Sequence, residues 1–118
     1  MLKSKKMEKF YHRKLIRDKI PEIIEANNGK YELRVMEEDE FKKGLKKKLI
    51  EEVKEVIEAE KSELGKELAD VLELIKSIAE SENINFELIE EKQEQRRKER
   101  GGFKKKLFLI WSDKTAGK

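Results

Sequence analysis

Residues 44–74 read GLKKKLIEEVKEVIEAEKSELGKELADVLEL, and the spacing of their apolar residues decides the fold. At about 100° per residue, Leu45, Leu49, Val53, Val56 and Ile57 share one arc of a helix. Leu64, Leu68, Val71, Leu72, Ile75 and Ile78 share an arc of a second helix. Ser62 is the expected N-cap of the second, so the connection after Glu60 is too short for anything but an antiparallel hairpin. A lone hairpin buries one side only. The sequence therefore predicts a mainly α protein whose hairpins form a four-helix core on dimerisation, with a homodimer as the simplest assembly and a homotetramer as the larger one.

The chain on either side adds shorter elements. Asp18 as N-cap and Pro21 in the first turn predict a helix to about Asn27, ended by Asn28-Gly29. Residues 31–36 alternate apolar and charged, which predicts a short strand. The first long helix is expected over Asp39–Glu60 and the second over Glu63–Ser81. A further helix should run from about Asn85 to Arg100, stopped by Gly101-Gly102. Residues 103–111 place Phe103, Leu107, Leu109 and Trp111 on one strand face, expected to pair with 31–36 in a small two-stranded sheet whose core holds Phe103 and Trp111. The domain organisation expected is a flexible basic N-terminus over 1–9, one domain over 10–111 and a flexible tail over 112–118.

Composition excludes several chemistries. There is no cysteine, hence no disulfide, thiolate metal site or cysteine nucleophile. The one histidine, His12, lies in a basic segment and is read as an exposed structural residue. No apolar run approaches the ~18 residues of a membrane span, and the first residues lack a signal-peptide core. The expectation is a cytoplasmic protein with no membrane partner. Residues 1–17 hold seven Lys/Arg against one Glu, residues 18–91 hold 12 against 22 Asp/Glu, and residues 92–106 hold eight against two. An acidic centre between basic ends suits a cation and a polyanion held together, and it disfavours a continuous nucleic-acid track.

The acidic centre has its own order. Glu51, Glu52 and Glu55 form E-E-x-x-E, and Glu67 and Asp70 form E-x-x-D. In so charged a chain, a helical Glu is ordinarily a solvated partner of Lys at i, i+4. Helical phase argues otherwise for four of these five. Glu52 borders the first apolar arc, Glu55 lies a little further out, and Glu51 points furthest away. Glu67 falls at the margin of the second arc, and Asp70 just beyond Leu74. Like-charged neighbours flanking a seam repel by roughly 0.2–0.5 kcal/mol per pair when exposed, and partial burial makes this worse. A hard divalent cation, Mg²⁺ above all, removes the repulsion. Such an ion is the usual partner of a phosphate chain. Arg96 and Arg100, one turn apart, are candidates for reaching those phosphates, as are Lys14, Arg17 and Lys19; for the last three a salt bridge to the acidic centre is the competing reading.

These motifs, with Lys14–Pro21 (KLIRDKIP) and Arg100–Phe103 (RGGF), resemble the MazG-like superfamily of all-α nucleoside triphosphate pyrophosphohydrolases, in particular its compact phosphoribosyl-ATP pyrophosphohydrolase-like subgroup. The resemblance spans about Tyr11 to Leu109. It implies Mg²⁺ ligands at Glu52, Glu55, Glu67 and Asp70, with Mn²⁺ as a substitute. It implies catalytic roles within Glu51, Glu52 and Glu55, Glu51 acting less directly by orienting a ligand or a water. The implied reaction is hydrolysis of an NTP or dNTP between the α and β phosphates, as in clearing unwanted nucleotides. Hydrolysis of phosphoribosyl-ATP in histidine biosynthesis is the alternative within the same chemistry. A non-enzymatic helical nucleic-acid-binding protein is the alternative of another class, and the acidic centre speaks against it.

Overall fold

The computed structural model describes residues 8–117, so most of the basic segment expected over 1–9, and the last residue of the expected tail, lie outside the described residues. Among these residues four helices occur in order: α1 (Ile20–Ala26), α2 (Glu38–Glu58), α3 (Lys61–Ser81) and α4 (Phe86–Arg100). Within the span expected as one domain, the chain forms two compact units, divided between Asn83 and Ile84.

The first unit is built on α2 and α3, which pack against each other. The turn between them is two residues long because Ala59 and Glu60 both take extended backbone, with ψ 139° and 158°. The Glu60 carbonyl accepts from the amides of Glu63 and Leu64, at 2.9 and 3.0 Å. The helix therefore starts before Ser62, and Glu60, not Ser62, is the N-cap, with no side-chain bond. Glu38, Asp39 and Glu40 fill the first turn of α2, where the helix dipole favours negative charge. Arg34 adds a bidentate pair to Glu40, at 2.7 and 2.6 Å. At the far end of the hairpin Lys42 lies 3.6 Å from Glu82, as the antiparallel course requires. At α1 the cap is Lys19 in place of the expected Asp18, again without a side-chain bond.

The core is narrower than the apolar arcs foretold. Leu45, Leu74 and Ala79 are buried, while Val53, Ile57, Leu68, Leu72 and Ile75, all expected inside, stay exposed. The reason is geometric: within a hairpin each long helix has one long neighbour, which covers about half of a wide apolar arc. One flank gains further cover from the segment before α2. There, Gly44 lies so close to Leu15 and Met36 that an added Cβ would sit 3.2 Å from Met36 Cε.

The two-stranded sheet does not form. Residues 31–36 and 103–111 are irregular, and no strand occurs among the described residues. In 31–36 the polar groups bond locally, Tyr31 to Glu25 and Arg34 to Glu40. In 103–111 a turn closes from the Lys106 amide to the Phe103 carbonyl, and Lys106 takes φ +57°, which breaks an extended run. Phe103 and Trp111 are 97% and 79% exposed, so neither is core. A two-stranded ribbon without a buried face is marginal in water, whatever its alternation.

The second unit holds α4. The helix starts where expected, and there the Asn85 side chain accepts from the Glu87 amide at 3.0 Å and caps it. Gly101, at φ +85°, ends it in a conformation that side chains rarely adopt. Arg100 donates to the Ala116 carbonyl at 3.1 Å.

Candidate metal centre

Glu52 projects from the middle of α2, and Glu67 and Asp70 lie one turn apart on α3. The hairpin brings one carboxylate oxygen from each to within 4.8 Å of the others, and all three residues are half-buried. Two helices, each chosen by its apolar seam, thus converge three like charges at the seam's edge.

The electrostatics fit that crowding. The Glu52 carboxyl is pushed above its ordinary value of 4.5, first by partial burial, then by Asp70, with Glu67 and Glu55 adding and Lys48 opposing. Two further cations partly relieve the group. Arg17 Nη2 donates to Asp70 Oδ1 at 2.8 Å. Lys66 Nζ stands 3.9 Å from both Glu67 and Glu63, at the limit of an ion pair. The Arg17 contact is the salt bridge that competed with phosphate binding in the sequence reading.

The other expected residues fall differently. Glu55, one turn beyond Glu52, is exposed and does not join the three. Glu51 is half-buried, although phase placed it furthest from the seam. Lys14 is exposed, and Arg96 and Arg100 lie one turn apart on α4, in the second unit.

The donors suit a hard ion. All three offer carboxylate oxygen, the ligand type of Mg²⁺ and Mn²⁺. Two oxygens bound to one Mg²⁺ at about 2.1 Å lie at most about 4.2 Å apart. A span of 4.8 Å closes to that with small side-chain rotations.

The raised Glu52 value has a consequence with a definite sign. A carboxyl whose folded value exceeds its unfolded one favours the folded state in its protonated form. That contribution is fully present below pH 4.5 and is lost as pH rises through the raised value. Metal-free wild type and Glu52→Gln should therefore be equally stable under acid conditions, with the variant more stable at neutral pH. Urea melts at both pH values in EDTA measure the difference; a variant less stable at neutral pH would contradict it.

No protein-family model matches the chain, and it has no match among curated proteins or among solved structures. The functional reading is therefore carried by the motif resemblance together with the site's own geometry.

Proposed function

We propose that the protein is a Mg²⁺-dependent pyrophosphohydrolase that converts a nucleoside triphosphate, NTP or dNTP, to its monophosphate and pyrophosphate. The observation that carries this reading is the convergence of Glu52, Glu67 and Asp70 across the hairpin, at the positions where E-E-x-x-E and E-x-x-D resemble the superfamily's ligand motif. Glu52, Glu67 and Asp70 would hold the ion, with Glu55 completing the set and Mn²⁺ an acceptable substitute. When bound, the ion neutralises phosphate charge and lowers the proton affinity of a coordinated water.

The chain's own residues do the rest. A carboxylate of Glu52 or Glu55 accepts the proton of the attacking water, and the raised proton affinity of Glu52 suits it to that role. Glu51, half-buried beside Glu52, orients a ligand or the water. Arg17 and Lys14, in the same unit as the three carboxylates, supply positive charge for the phosphates. Arg17 has to leave Asp70 to do so, and a cation on Asp70 favours that exchange. The assembly that goes with this reading is a homodimer or homotetramer that completes a helical core, supported by the exposed apolar residues of the hairpin.

Product analysis tests the reaction. Purified protein given a panel of NTPs and dNTPs with Mg²⁺ is expected to release monophosphate and pyrophosphate in equal amounts, and EDTA to abolish this. Diphosphate plus inorganic phosphate would overturn the cleaved bond, and no turnover across the panel with phosphoribosyl-ATP included would overturn the enzyme.

A further inference from the structure

From the end of α4 the chain reads RGGFKKKLFLIW over residues 100–111. Phe103, Leu107, Phe108, Leu109, Ile110 and Trp111 are each at least three-quarters exposed. Their backbone is irregular, and no strand among the described residues receives them. Contiguous apolar surface of this kind marks a site of interaction.

The order of the residues says what kind of surface it meets. Leu107–Trp111 are five apolar residues in succession, so the segment is apolar on every side. A strand or helix that docks on another protein presents one apolar face, with polar residues between. A segment apolar all round suits a medium that surrounds it, as the acyl boundary of a bilayer does. Trp111, at the end of the run, carries the amphipathic ring favoured at that boundary.

Charge is an independent observation on the same segment. Lys104, Lys105 and Lys106 stand immediately before the run, and all three are exposed. The Lys106 amide donates to the Phe103 carbonyl at 3.1 Å, and that turn gathers the lysines at the root of the run. Residues 100–111 hold no acidic residue. Lysine stems lie along apolar surface while the ammonium groups stay at the level of water and headgroups. A nucleic-acid strand would also take the lysines, but Leu107, Leu109 and Ile110 offer no ring on which its bases could stack.

We propose that residues 103–111 are a docking segment for an anionic lipid bilayer, with Leu107–Trp111 seated at the acyl boundary and Lys104–Lys106 on the negative headgroups. The irregular backbone keeps the contact shallow, since deeper in the bilayer its amides and carbonyls would lack partners. No helix among the described residues is long and apolar enough to cross a membrane, and this contact requires none. The expectation of no membrane partner rested on the lack of a spanning run, which surface association does not need. The inference goes beyond the proposed function: it concerns the second unit alone, whereas the three carboxylates stand in the first.

Co-sedimentation of the full chain with vesicles of phosphatidylcholine containing about one-third phosphatidylserine, and with pure phosphatidylcholine vesicles, tests it. Trp111 is the chain's one tryptophan, so its emission reports on this segment alone. Wild type is expected to pellet with the anionic vesicles, less so as salt rises, and its emission to shift to the blue. Replacing Lys104, Lys105 and Lys106 together by Gln should weaken that binding about a hundred-fold, at roughly a factor of five per lysine. Phe108→Ser should weaken it about ten-fold or more. Both variants change exposed residues, so their melting temperatures should match wild type. Failure to bind anionic vesicles, or equal binding to the neutral ones, would overturn the inference. So would an emission already blue-shifted without vesicles, which would show that protein covers the run. Tighter binding to a single-stranded oligonucleotide, unaltered in Phe108→Ser, would overturn it in favour of nucleic acid.

Discussion

Glu67→Gln is expected to remove activity while leaving the metal-free protein as stable as wild type, or more so. Glu67 holds the central position: it faces Glu52 across the hairpin, stands one turn before Asp70, and its side chain is only 13% exposed. Its compensation by Lys66 is weak at 3.9 Å. Neutralising it relieves repulsion on two sides and keeps the side-chain volume. Where even groups that merely support a metal ligand change affinity or activity by roughly 10–100-fold, loss of the ligand itself should reduce kcat/KM by about a hundred-fold or more. The same substitution should erase most of the stabilisation by Mg²⁺, which for a site at a hundred times its dissociation constant is about 2.7 kcal/mol. Ordinary surface pairing foretells the reverse: a loss of about 0.3–0.5 kcal/mol and no metal dependence in either protein. Thermal melts in EDTA and in excess Mg²⁺, with turnover measured alongside, separate the two. Full activity and wild-type metal stabilisation in the variant would end the metal-centre reading.

Leu45→Ala should have the largest effect on stability of any single truncation in α2. Leu45 is 3% exposed and belongs, with Leu74 and Ala79, to a core of three buried apolar residues among those described. Truncating a buried leucine costs about 2–5 kcal/mol through lost transfer energy and the cavity left behind. Against a typical total of about 5–15 kcal/mol, that is a large fraction of what holds the fold. A fall of about 10 °C or more in melting temperature is expected for a unit of this size. Val35→Ala is the matched control, because Val35 is 90% exposed and its truncation should stay within about 0.5 kcal/mol. Equal melting of the two variants would show that the α2–α3 seam is not where stability resides.

The two experiments probe different layers of one arrangement. Leu45 and Leu74 are the buried leucines of the two packed helices, and the packing of α2 on α3 brings Glu52 level with Glu67. A variant that loosens the seam should therefore weaken Mg²⁺ binding as well, whereas Glu67→Gln leaves the seam intact.

Much of this was legible in the order of the residues. Local chemistry fixed the elements: the 3.6-residue spacing of leucine and valine gave both long helices, Asn85 gave the start of α4, and Gly101 its end. The i, i+3 pair Glu67 and Asp70 had to share a helix face, and a short connection had to return that face to α2. Those features depend on neighbours a few positions away, so composition and spacing determine them. Tertiary structure alone decided the rest. It set Glu51 half-buried and Glu55 exposed, the reverse of their order by helical phase, which ranks residues against one seam only. Among the described residues it paired Arg17, and neither Lys14 nor Lys19, with Asp70. It denied strands to 31–36 and 103–111, since alternation makes a strand only where a partner edge and a buried face exist to receive it. It also left half of each apolar arc open, because how much of a hydrophobic stripe is covered depends on how many helices surround it, and a sequence records only the stripe.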